Sequence, residues 1–260
     1  MADDTEPTMH EPPAPSGDTS RRPSSVVEGT ADVPHAEEVP IVAAQLFGER
    51  LGLAERYAEL LRTTGIDHGL IGPREAHRIW QRHLLNCAVV ADLLPPGASV
   101  ADVGTGAGLP GIVLAIARPD VTVTLVEPLE RRVRWLTSTV EDLGITNVHI
   151  TRARAEEVRE RFDVVTARAV ADLGKLLRWC LPLVTDGGRL MALKGSRAQE
   201  EIDRTLAHTP QLAGRIELVM CGAGLVAEPA AVVVVAPEPG RPHPTARGRK
   251  RPQHGGSSRR

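Results

Sequence analysis

The sequence predicts one α/β domain, a mostly parallel sheet with helices on both faces, preceded by a helical piece. Three observations predict it. From Ser99 onward, short apolar runs alternate with helical stretches, and strand–helix alternation builds parallel sheets. The run Val100-Ala101-Asp102-Val103 is followed by Gly104, Gly106, Gly108 and Gly111 and then by the apolar stretch Ile112 to Ile116, the pattern of a strand, a glycine turn and a helix start. The chain has 260 residues, 42% of them hydrophobic, enough for one buried core with appendages. Aromatic residues make up only 2%, so Leu, Val, Ala and Ile must fill that core.

The elements follow in order. From Ile41 to Thr63, Leu46, Phe47, Leu51, Ala54, Tyr57, Leu60 and Leu61 recur at helical spacing, and Gly65 ends the pattern. Pro73 suits a first helical position, and Ile79, Trp80, His83, Leu84 and Val89 keep a helical period to Leu94, before Pro95-Pro96-Gly97 stops it. Strands are expected at 99–103, 121–126, 148–152, 162–166 and 189–192, with helices at 109–117, 129–143, 173–181 and 197–207. The last two strands, 216–220 and 230–235, have no long helix between them and read as an antiparallel hairpin closing one edge. The resulting organisation is an acidic tail over 1–40, N-terminal helices over 41–97, the α/β domain over 98–237 and a basic tail over 238–260.

The net charge of −2 conceals an asymmetry. The first forty residues hold nine acids against Arg21 and Arg22, and the segment from Glu238 holds seven bases against that one glutamate. Both ends are rich in Pro, Gly, Ser and charge, so they bury too little apolar area to offset ordering entropy and are expected to be disordered. A basic tail of this kind serves either as an RNA contact or as a solubilising segment. Cys87, Cys180 and Cys221 are far apart, which suggests neither a zinc site nor a disulfide framework. There is no secretory h-region and no long apolar run, so a cytoplasmic protein off the membrane is expected.

The glycine segment matches the dinucleotide spacing Gly106-x-Gly108-x-x-Gly111, and Glu127 closes the next strand where a ribose-binding acid belongs. Asp102 argues against a dinucleotide, because a carboxylate just before the loop repels a pyrophosphate. It suits a ligand with an ammonium group. S-adenosyl-L-methionine has that group, a carboxylate for the helix N-terminus, a ribose for Glu127, and no phosphate. After the third strand, the backbone of the Arg152–Glu157 stretch can read an adenine edge, although an ordinary loop with an acidic helix start explains it as well. Arg168 follows the fourth strand, where donor and acceptor should meet. An arginine there holds a phosphate or base edge bidentately, or else a structural salt bridge. Arg78 and Arg82 share a helix face; with His83 and Lys194 they form a candidate phosphate-binding surface, or a solvated face, and His83 alone fits a buried, satisfied histidine as well. No cysteine stands at the end of the fourth strand to serve carbon-5 pyrimidine methylation, and no motif for exocyclic amines is present.

Together, Asp102-Val103-Gly104-Thr105-Gly106-Ala107-Gly108-Leu109-Pro110-Gly111, Arg82-His83-Leu84, Arg154-Ala155-Glu156-Glu157, Ala167-Arg168-Ala169 and Ala192-Leu193-Lys194-Gly195 resemble the small-subunit ribosomal RNA guanine-N7 methyltransferase family, also called glucose-inhibited division protein B. The tails and the arginine-rich texture resemble its actinobacterial members. The resemblance implies a class I (Rossmann-like) S-adenosylmethionine-dependent methyltransferase with an antiparallel last strand. It further implies a guanine in the 530 loop of 16S rRNA as acceptor, met as rRNA, small subunit or assembly intermediate, by a protein expected to be a monomer. Asp102, Gly104, Gly106, Leu109, Glu127, Ala155, Glu156 and Arg168 would hold the cofactor. Arg168 would position the acceptor, and Arg78, Arg82, His83 and Lys194 would meet RNA. Where the family often has Ser, this chain has Ala167, and Asn86-Cys87 replaces Asp-Ser. On residues alone, a small-molecule methyltransferase, an NAD-dependent oxidoreductase and a non-catalytic RNA-binding protein remain alternatives.

Overall fold

The computed structural model describes residues 37–238. Most of both charged ends, expected to be disordered, lies outside the described residues. Seven strands form one sheet: β1 (Ser99–Val103), β2 (Thr122–Val126), β3 (Val148–Thr151), β4 (Phe162–Arg168), β5 (Val184–Lys194), β6 (Ile216–Cys221) and β7 (Ala230–Val235), in the order β3-β2-β1-β4-β5-β7-β6. The first five run parallel, and β7 is antiparallel to both of its neighbours, β5 and β6. The expected closing hairpin is present, with its second strand on the inside and β6 at the edge. Strand order reverses between β1 and β4, and in open α/β sheets the ligand crevice lies outside the carboxyl ends of the strands at that switch point.

Alternating residues serve the two faces, as a sheet covered on both sides requires. Val100, Val123, Leu125, Val164 and Met191 join one core with α4 (Gly111–Ala117) and α5 (Glu130–Leu143), while Ala101, Val165, Ala167, Leu190 and Val233 join another with α6 (Leu173–Cys180) and α7 (Ala198–His208). The N-terminal helices are not a separate body: Ala54, Tyr57, Leu61 and Leu84 are buried in the first of these cores.

The structure departs from expectation in the helical layer and in β5. The two long N-terminal helices are each broken. α1 (Ile41–Phe47) stops at Gly48, whose φ of 52° sets its backbone N–H on Ala44 O, and α2 (Leu51–Leu60) widens into a π-helical turn, Leu61–Gly65. The second comprises a 3₁₀ segment Pro73–Arg78, a π-helical segment Ile79–Leu85 and the short α3 (Asn86–Ala88). Apolar periodicity reports which face is buried, and such wide and tight turns preserve it closely enough to hide from sequence. β5 begins five residues before the expected Arg189, because Val184 already pairs with Phe162 and Gly188 lies inside the strand, where a Cβ would fall 2.6 Å from Asp163 O.

Candidate donor and acceptor site

The glycine loop closes on Asp102. This residue is the last but one of β1 and is fully shielded from solvent. Its Oδ2 accepts from the Thr105 hydroxyl and from Gly111 N–H at 2.8 Å. A Cβ on Gly111 would sit 2.3 Å from Leu125 Cδ2 and 2.8 Å from Asp102 Oδ2, so only glycine lets the start of α4 approach β1 this closely. Gly108, at a φ of 91°, is likewise confined by Ile112. Burial, outweighing those hydrogen bonds, pushes the Asp102 carboxyl up to about 6. The second oxygen, Oδ1, is buried without a partner among the described residues. A desolvated carboxylate with one oxygen unused fits a cationic ligand group, and in this respect the residues present fit S-adenosylmethionine.

Glu127 follows β2 and is almost fully buried. Its carboxylate accepts from Gly106 N–H (3.1 Å) and Leu129 N–H (3.0 Å) and lies 3.5 Å from the Arg132 guanidinium. It therefore ties the loop to β2, and Oε1, which accepts from Leu129 alone, keeps a lone pair for a ribose hydroxyl. Gly104 N–H donates to Val126 O, and Leu109 is buried beneath the loop. Ala155 and Glu156 open a short 3₁₀ turn after β3, with Ala155 buried and Glu156 exposed. The first N–H groups of such a turn have no partner within it and remain available to a ligand.

One contributor was not singled out in the sequence. Tyr57 of α2, the only tyrosine, is fully buried, and its hydroxyl donates to Ala107 O of the loop at 2.6 Å. Its core spacing was visible, but the polar end that meets a loop fifty residues away was not.

Arg168 closes β4 beside β1. Its guanidinium donates to Cys87 Sγ (3.1 Å), Arg82 O (3.1 Å) and His83 Nδ1 (2.7 Å). These contacts bind the π-helical segment and α3 to the sheet edge; they are not the salt bridge considered above. The imidazole that accepts from Arg168 carries its proton on Nε2, which lies 3.2 Å from Glu75 Oε2. Burial first, then the Arg168 cation, lower His83 to about 4 despite Glu75. His83 is thus neutral at pH 7 and faces inward, not toward a phosphate. Ala169, next to Arg168, has a φ of 55°, an uncommon conformation for a residue with a Cβ. Val170 then lies directly over Gly104, where an added Cβ would meet its methyl at 2.8 Å.

The expected RNA contacts divide. Arg78 pairs with Glu228 (2.8 Å), and Arg82 lies 3.3 Å from Glu75; both stay partly exposed. Lys194 does not stand as a free phosphate anchor. Its side chain is 7% exposed, and its ammonium is held at 2.8 Å by both Glu201 of α7 and Ala171 O. At the strand ends a cleft of 920 Å³ is lined by Arg82, Arg168, Val170, Lys194, Arg197 and Met220, among others.

With this geometry in place, comparison with known proteins is decisive. The model of the GidB family, rRNA small subunit methyltransferase G, matches residues 50–223. The chain belongs to this family. It is 53% identical over 226 residues to Ribosomal RNA small subunit methyltransferase G of Salinispora tropica, covering 82% of this chain and 93% of that one. It is also 53% identical to the protein of that name from Rhodococcus jostii, covering 80% and 93%. Among solved structures, a SAM-dependent O-methyltransferase from Thermotoga maritima is similar at a TM-score of 0.46 and 20% identity, over 59% of this chain and 65% of that one. The family therefore rests on the sequence relatives, and the strand order carries the class I methyltransferase fold. As a member, the chain is an rRNA methyltransferase whose methyl donor is S-adenosylmethionine. No helix among the described residues is long and apolar enough to cross a membrane.

Proposed function

We propose that this enzyme methylates N7 of a guanine in the 530 loop of 16S rRNA by direct in-line transfer. The observation that carries the reading is that the thiol, phenol and imidazole packed around Arg168 are each unfit to act as nucleophile or base. The Cys87 thiol is fully buried, and burial raises its pKa even against the Arg168 cation, so it stays protonated. Tyr57 is raised further by the same desolvation. Both nitrogens of His83 face protein groups. An acceptor matched to such a site brings its own lone pair, as guanine N7 does, and positioning supplies the catalysis.

The bound donor supplies a sulfonium methyl: the sulfur–methyl bond breaks as the bond to N7 forms, its electron pair stays on sulfur, and no proton leaves the base. Asp102 receives the donor ammonium, Glu127 the ribose, and the backbone at Ala155 and Glu156 the adenine; Gly104, Gly106 and Leu109 shape the floor. Arg168, held by His83 and the Arg82 carbonyl, orients the acceptor. Arg78 and Arg82 meet RNA phosphate. The enzyme acts as a monomer in the cytoplasm, where small subunits are assembled. The test is incubation of purified protein and S-adenosylmethionine with 30S subunits lacking the mark. Methylation at N7 of the 530-loop guanine is expected, and its absence refutes the assignment.

A further inference from the structure

α7 carries a row of basic side chains that the donor and acceptor assignments leave unused. Arg197 at its start, Arg204 and His208 are spaced seven and four residues apart, so they share one face of the helix. Arg178 of α6 stands across from them. Arg204, His208 and Arg178 line a groove of 810 Å³ between α6 and α7, floored by Leu177, Leu181 and Leu212. Arg197 and Arg204 also line the 920 Å³ cleft that contains Arg168. The cleft and the groove thus meet at Arg204 and lead away from the acceptor position.

Arg178, Arg197 and Arg204 form no ion pair with any described residue, whereas most acids of the cleft are neutralised: Glu201 by Lys194, Glu228 by Arg78 and Asp172 by Lys175. Glu200 of the cleft and Glu238 of the groove are the carboxylates without a cationic partner among the described residues. The path from Arg197 to His208 is about 16 Å at ~1.5 Å per residue, room for a few successive phosphates of one strand. The groove lining contains no Phe, Tyr or Trp, so its contribution is chiefly to backbone charge and not to base identity.

We infer that the α6–α7 groove is a track for the phosphate backbone of single-stranded RNA flanking the target guanine. This inference rests on the rRNA reading above. A base presented for methylation must leave its stack, and the strand on one side of it then runs past Arg197 and Arg204 toward Arg178. The track supplies affinity that is independent of sequence and sensitive to salt, while Arg168 and the cleft select the base.

The test is a salt titration of binding to a 16S rRNA transcript. Wild type is compared with the triple variant Arg178→Gln, Arg197→Gln, Arg204→Gln and with Arg131→Gln, Arg134→Gln on α5 at the other end of the sheet. Each lost phosphate contact removes about 0.7 from the slope of log K against log salt. The triple should therefore be shallower by roughly 2 and about a hundredfold weaker near 0.1 M salt, with donor affinity and thermal midpoint unchanged. The matching Lys triple, which keeps the charge, should retain the wild-type slope. A Gln triple with the wild-type slope, an equal loss in the α5 pair, or a Lys triple as weak as the Gln triple overturns the track. Wild type that fails to methylate 30S subunits overturns the activity instead, a separate result.

Discussion

The glycine loop and the arginine cluster lie side by side on one sheet edge but are assembled by opposite means. The Asp102 hydrogen bonds that close the loop reach three and nine residues along the chain. The bonds that hold Arg168 reach 81 to 86 residues, to a layer of helices outside the strand–helix repeat. The donor half is local geometry, dictated by glycines and one acid in sequence. The acceptor half exists only once α3 and the π-helical segment before it are packed against β4. The two halves should therefore fail in different ways.

The largest effect is expected at Gly111→Ala, whose Cβ has no room beside Leu125 and Asp102. Overpacking there should cost about 1–3 kcal/mol of stability and abolish calorimetrically detectable donor binding. Binding within threefold of wild type would end the view that close approach defines this half. Next is Arg168→Ala. It should lower kcat by roughly a hundredfold, as misplacement of a reactant does, while donor affinity measured by calorimetry changes far less. A loss confined to donor affinity would move Arg168 into the donor half. Tyr57→Phe leaves Ala107 O without its donor and should weaken donor binding about fivefold to tenfold, the worth of one buried hydrogen bond. Unaltered affinity would mean that the helical layer does not shape the loop.

The halves also titrate with opposite sign. Asp102 is raised from 3.8 to about 6 in the folded chain, so the native state binds the extra proton between those values, and its contribution to stability falls as pH rises through that window. His83 is lowered from 6.5 to about 4, so the unfolded state binds the extra proton, and its contribution falls as pH drops from about 6.5 toward 4. Thermal midpoints of Asp102→Asn and His83→Gln should diverge from wild type in opposite directions between pH 4 and 6. Donor affinity itself should rise with pH through about 6, because the carboxylate is the form that receives an ammonium. Parallel pH profiles for the two variants would refute the opposition. The smallest effect on RNA affinity is expected from the paired change Lys194→Met, Glu201→Met. It removes a buried ion pair without altering net charge, and should leave the salt slope of RNA binding as it is.

The sequence by itself determined the glycine loop, proposed here as the donor site, and the sheet that carries it. Glycines at required turns, an acid before them and another after the next strand are constraints of backbone geometry and charge that act within some 25 residues, so they can be read along the chain. The strand–helix alternation placed β1 through β4 nearly to the residue, and the hairpin of β6 and β7 as well. Tertiary structure alone decided what the acceptor residues do. Lys194 had the charge of an RNA contact until the fold set Glu201 beside it. His83 fitted both the buried helical period of Ile79, Trp80 and Leu84 and a phosphate contact until Arg168 and the π-helical segment held it inward. Tyr57 was one more apolar position until packing brought its hydroxyl to Ala107. In each case the partner lies on another element, and a side chain's charge or polarity becomes function only where the packed fold decides whether water, a protein group or substrate will meet it.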